Sequence, residues 1–131
     1  MNIKTITIWV LRIVPALIMM QTLFFKFTAS EESVYLFTQL GMEPWGRIGT
    51  GVVELIASVL ILWPRTTHFG AIISVGLMSG AVFFHLTKLG IEIQGDGGLL
   101  FAYAMIVMIS CLLLIFFYRK NIIKLIPFLN N

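Results

Sequence analysis

Residues 98–118 read GLLFAYAMIVMISCLLLIFFY and carry no charged side chain over twenty-one positions. Crossing the hydrocarbon of a bilayer as a helix takes roughly 17 to 25 apolar residues, so this run spans one. Three further stretches qualify by the same measure, at about 6–27, 46–63 and 68–88. The spacing predicts an all-α integral membrane four-helix bundle.

Composition supports the bilayer as solvent. The chain has 131 residues, of which 59% are hydrophobic and 11% charged. Soluble domains run near about 25% charged, and a chain this short has no interior able to bury such an apolar excess. A formal net charge of +3 is weak support for nucleic acid and is better read by where the charges fall. The lone Cys111 excludes an intrachain disulfide, a CxxC redox pair and any cysteine-built metal cluster.

The breaks between spans are Pro44, the pair Trp63 and Pro64, and the Gly90 to Gly98 segment with its four glycines. None is long enough for a linker, so residues 1–131 are expected to form a single domain. The first apolar run is too long for a secretory h-region and contains Arg12 and Lys26, which predicts a retained spanning helix. Lys4, Arg65, Arg119, Lys120 and Lys124 fall on one side. Glu31, Glu32, Glu43, Glu92 and Asp96 fall on the other, with Arg47 and Lys88 at helix ends. The positive-inside rule then puts both termini in the cytoplasm. In the first outer loop, residues 31–40 follow Ser30 with acids in the first turn and precede Gly41, the pattern of a short helix. Its apolar stripe of Val34, Phe37 and Leu40 predicts an interfacial position, partly lidding the bundle.

Ionisable groups in hydrocarbon cost roughly 2.5–3.5 kcal/mol each on insertion scales, which makes every one a candidate site residue. Glu54 lies eight positions into its span, roughly 12 Å below the outer end at 1.5 Å per residue. A carboxylate there needs a proton or a cation. Lys26, Arg47 and His85 are the cations that the topology brings near, and Asp96 and Gln94 lie just before the fourth span on the same side. The expectation is a polar cluster in the outer half of the bundle with Glu54 at its floor. The plainer alternative is an ion pair that fixes helix register, with Lys26 and Arg47 as snorkelling end residues. Arg12 reads as a snorkelling or packing residue, and His68 as a surface or headgroup residue at the cytoplasmic mouth.

His68 and His85 are seventeen residues apart on one helix, about 25 Å, and cannot clamp one haem. No HxxxH or ExxH spacing supports a metal, and none is expected. Glycines 46, 49 and 51 on the second span and 70, 76 and 80 on the third predict close approach of those two helices through small residues. Phe24, Phe25, Phe83, Phe84, Phe101 and Tyr103 gather in the outer half. They would wall a cleft for a lipid-soluble ring such as a quinone, or simply face lipid.

Taken together, the layout resembles the DoxX family, which includes DoxD-like subunits of thiosulfate:quinone oxidoreductase. The resemblance covers about residues 8–118. It rests on Arg12, Lys26, the Phe37 to Gly41 loop with Pro44, Gly51-Val52-Val53-Glu54 leading into Leu60-Ile61-Leu62, and a third span bearing His85. Leu23 stands where many members have glycine, and a Gly-rich Ser-Leu-Asp segment is missing, which marks a divergent branch.

The resemblance implies a small bacterial inner-membrane protein, a quinone-interacting or accessory subunit of a membrane oxidoreductase. In that reading Glu54 and His85 handle protons, while Lys26, Arg47, Asp96 and Gln94 bind the ligand. The chain has no cofactor of its own, a redox partner subunit is required, and a homo-oligomer is compatible with the layout. A membrane scaffold or assembly partner is the second reading, and a small-solute or lipid carrier the third.

Overall fold

A computed structural model describes residues 2–125. The expected single domain runs on to residue 1 and residues 126–131, which lie outside the described residues, as does the terminus expected in the cytoplasm at the C-terminal end. The structure is all helical, with α1 Ile3–Phe27, α2 Glu31–Gln39, α3 Trp45–Leu62, α4 Thr67–Phe84, α5 Leu99–Phe117 and α6 Arg119–Ile123. A π-helical turn over His85–Leu89 continues α4. Four of these helices are long and apolar enough to cross a membrane. The protein is therefore an integral membrane protein whose spanning faces meet lipid.

Local chemistry sets the ends. The Asn2 side chain accepts from the Thr5 backbone N–H at 2.8 Å, so α1 begins three residues before the apolar run. Ser30 caps α2 by accepting from the Ser33 N–H at 3.3 Å, and Glu31 and Glu32 in its first turn complement the helix dipole. The fourth expected span ends at Phe117, and the basic residues after it wind into α6.

α1 packs on α3 and α5, and α4 packs on the same two, giving a square of antiparallel neighbours. At the end that carries the α3–α4 turn, the square is solid, filled by Ile61, Ala71, Cys111 and Leu114. Leu17, Ile56, Ile72 and Leu113 project outward and are exposed to the lipid side. Arg12 is buried here. Its guanidinium donates to the carbonyls of Ile61 at 3.0 Å and Leu62 at 2.5 Å, and it lies over the Trp9 ring. The Thr67 hydroxyl donates to Ile61 O at 2.9 Å, so the last carbonyls of α3 are satisfied without water.

Two expectations are corrected. His68 is buried, not at the surface, because the short turn from Trp63 to Thr66 starts α4 already inside the bundle. Its ring lies 4.3 Å from Phe69 and stacks 6.4 Å from Tyr118. The glycine contact between the second and third spans reduces to Gly70, where an added Cβ would stand 2.7 Å from Ile61 N and 2.8 Å from Ala57 O. Gly51 faces the Phe27 ring of α1, and Gly46 faces Met42. Gly49, Gly76 and Gly80 have nothing within 4 Å. The later glycines of α4 border open space rather than α3.

Candidate functional site

Gly51, Glu54, Ala57, Ser58 and Ile61 recur at helical intervals and form the buried face of α3. That register turns the Glu54 carboxylate inward, where it is 2% exposed. Lys26, in the last turn of α1, donates from its ammonium to Oε1, and Thr22, one turn earlier, donates to Oε2. Ser58 donates to the Glu54 carbonyl at 2.7 Å. Burying a carboxylate is costly unless it is paired and hydrogen-bonded, and both conditions are met here.

Above this pair the square opens into a cavity of about 420 Å³. α2 lies across it, contributing Leu36 and Phe37, while Phe25, Leu77, Phe84 and Tyr103 form apolar walls. Met19, Met78 and Val107 close the bottom. Gly76 and Gly80 border it, so the missing side chains of α4 are part of its volume. Its polar groups are few: Thr22, Lys26 and Glu54 together, Thr50 one turn before Glu54, His85, the Tyr103 hydroxyl, and the α2 start with Ser30, Glu32 and Ser33. A mostly apolar concavity with a few converging polar groups is the usual form of a small-molecule site.

His85 stands where α4 widens into the π-turn, a feature common at functional positions. It is 4% exposed, edge-on to Phe101 at 5.6 Å, and its Nδ1 is 2.9 Å from the Gly90 carbonyl. Gly90 takes φ +80, which a side chain would resist, and this turns the carbonyl back onto the ring. A carbonyl only accepts, so Nδ1 carries the proton. In the neutral ring Nε2 is then a lone-pair acceptor.

Of the six residues expected at the site, Lys26, Glu54 and His85 share the cavity wall. Arg47 does not reach Glu54; its Nε pairs with Glu43 at 2.9 and 3.0 Å, and it donates to the Lys26 carbonyl. It thereby holds the end of α1, one step removed from the cavity. Asp96 accepts from the N–H groups of Ile93 at 3.0 Å, Gly98 at 2.8 Å and Leu100 at 3.2 Å, capping α5. Gln94 is exposed in the same loop at φ +50. These two shape the loop and stand outside the cavity wall.

Thr22 and Glu32 escaped sequence reasoning. Thr22 sits four residues before Lys26, the helical spacing that could have found it. In the sequence Glu32 reads only as a first-turn acid of the short helix and as one of the charges on the outer side. Burial raises its pKa above the ordinary 4.5, and the neighbouring Asp96 raises it further by its charge and by a hydrogen bond between the carboxyls. For Asp96 burial pushes upward, but the N–H groups of Ile93, Gly98, Leu100 and Leu99 outweigh it and hold the group below 3.8. Among the described residues no three His, Cys, Asp or Glu side chains are grouped to hold a metal ion.

A sequence model described as the DoxX-like family matches residues 10–111, from α1 through most of α5. No curated protein and no solved structure matches the chain.

Proposed function

The chain belongs to the DoxX-like family, and from that premise we propose that it is a quinone-interacting or accessory subunit of a membrane oxidoreductase, with the cavity beneath α2 as its ligand site. The observation that carries this reading is the combination in one space of about 420 Å³ of aromatic and aliphatic walls with Lys26, Glu54 and His85. A flat lipid-soluble ring fits those walls, and its polar edge would meet the charged pair and the imidazole. A quinone would supply two-electron redox chemistry when bound, exchanging electrons with a partner subunit. The residues of this chain bind and orient the ring, exclude water, and hold protons at Glu54 and His85 Nε2. Lys26 neutralises negative charge at the ring's oxygen.

The distribution of basic residues favours cytoplasmic termini in a bacterial inner membrane, with the cavity in the outer leaflet. The scaffold reading is favoured by one feature: both Glu54 oxygens are already engaged, by Lys26 and Thr22.

Mass spectrometry and ultraviolet-visible spectra of what co-purifies with the native protein and with Glu54→Gln separate the two. A quinone or redox subunit held by the native chain and lost from a still-folded variant supports the proposal. A native chain free of both, with a destabilised variant, leaves the pair as a packing device.

A further inference from the structure

Two hydrogen-bond acceptors at the cavity lack a donor among the described residues. His85 Nδ1 is committed to the Gly90 carbonyl, so the acceptor Nε2 is what the ring has left, and it has no partner among the described residues. On the opposite side, Glu32 also lines the cavity, and its Oε1 is buried without a hydrogen-bond partner. Asp96 neighbours the Glu32 carboxyl. Asp96 accepts from the backbone N–H groups of Ile93, Gly98 and Leu100 and offers Glu32 no donor. Glu32 Oε1 is therefore a second acceptor at the cavity. The Thr22 hydroxyl is already donated to Glu54, and so is one N–H of Lys26. A spare ammonium N–H on Lys26 is the donor that remains from that pair.

Buried acceptors without donors are costly, and a ligand that brings donors removes the cost. A hydroxyl both donates to an acceptor such as Nε2 and accepts from the Lys26 ammonium, whereas a carbonyl can do only the second. We propose that the cavity selects ring ligands bearing hydroxyl groups, the quinol state or a simple phenol, over ligands of the same shape that present only carbonyl or ether oxygens, with His85 Nε2 and Glu32 Oε1 as the selecting acceptors. This rests on the ligand-site reading above and adds its direction: the bundle takes up the reduced ring, and its partner must be of the class that withdraws electrons from it.

The test uses probes with no redox chemistry. Binding of 4-heptylphenol and of its methyl ether, 4-heptylanisole, is measured by titration calorimetry on the full chain in detergent. The phenol is expected to bind about tenfold tighter or more. The ratio should fall toward one in His85→Phe, which keeps a flat ring and removes the acceptor, and shrink in Glu32→Leu, which lies outside the spanning helices. Circular dichroism of both variants reports folding. Measurable but equal binding of the two probes to the native chain overturns the hydroxyl preference and leaves the cavity as a ligand site. A preference undiminished in both folded variants overturns the assignment to these acceptors. Binding of neither probe overturns this inference and the ligand-site reading together.

Discussion

The Lys26 ammonium meets the Glu54 carboxylate across 28 residues of chain, tying the last turn of α1 to the middle of α3. Glu54 is 2% exposed and Lys26 18%, so the acid bears most of the desolvation. Removing only the lysine would strand a buried carboxylate. Lys26→Met is expected to destabilise the protein by about 3 kcal/mol, and Lys26→Met with Glu54→Gln by clearly less. Thermal unfolding in detergent of the two single variants and the double one measures the coupling. Equal losses from Lys26→Met and the double variant would show that the two groups do not act as a pair.

Arg12 is a separate matter at the other end of the bundle. Its guanidinium closes α3 by donating to the carbonyls of Ile61 and Leu62. Arg12→Lys keeps the charge and loses the planar fork, so a loss of about 2 kcal/mol is expected, with ligand binding in the cavity unchanged. Denaturation and phenol titration on the same preparation check both halves. A variant that unfolds no earlier than the native chain would mean that the two bonds contribute nothing.

The four spans, α2 and the inward placement of Glu54 were legible in the sequence, because length and apolar content alone decide what can cross a bilayer. The pairing of Glu54 with Lys26 was legible as well, since depth restricts the candidate cations. Arg47 was not, because its choice between Glu43 and Glu54 depends on a turn whose shape no periodicity encodes. His68 was misplaced for a related reason: counting residues from Pro64 sets its depth, but not that the turn into α4 brings its ring under cover beside Phe69 and Tyr118. Asp96 looked like a site residue by its side of the membrane, and loop geometry made it a cap.

Gly70 and Gly80 share a helix but do opposite things. At Gly70 a methyl group would meet the backbone of α3 at 2.7–2.8 Å, and backbone cannot step aside, so Gly70→Ala is expected to cost about 2 kcal/mol or more. At Gly80 there is nothing within 4 Å, and the position borders the cavity. Gly80→Leu should fold, shift the unfolding temperature little, and weaken phenol binding by filling the space a ring would take. If Gly80→Leu binds phenol as the native chain does, the ligand sits elsewhere.

The acid pair over the cavity predicts a pH dependence confined to α2. Glu32 has a raised pKa in the folded protein, so its contribution to stability is complete below its ordinary 4.5 and is lost as pH climbs through the raised value. Asp96, held below 3.8, works in the opposite sense: its contribution is complete above that value and is lost as pH falls through the lowered one. Burial and the neighbouring Asp96 charge favour the neutral form of Glu32, while the surrounding backbone N–H groups favour the ionised form of Asp96. As pH rises past the raised Glu32 value, both carboxylates are charged and repel. Hydrogen exchange of α2 amides, corrected for the intrinsic pH dependence of exchange, should therefore speed up toward alkaline pH in the native chain. Glu32→Gln keeps a neutral donor facing Asp96 and should abolish that acceleration, while the spanning helices stay protected throughout. An acceleration that persists in Glu32→Gln would assign the pH response to another group.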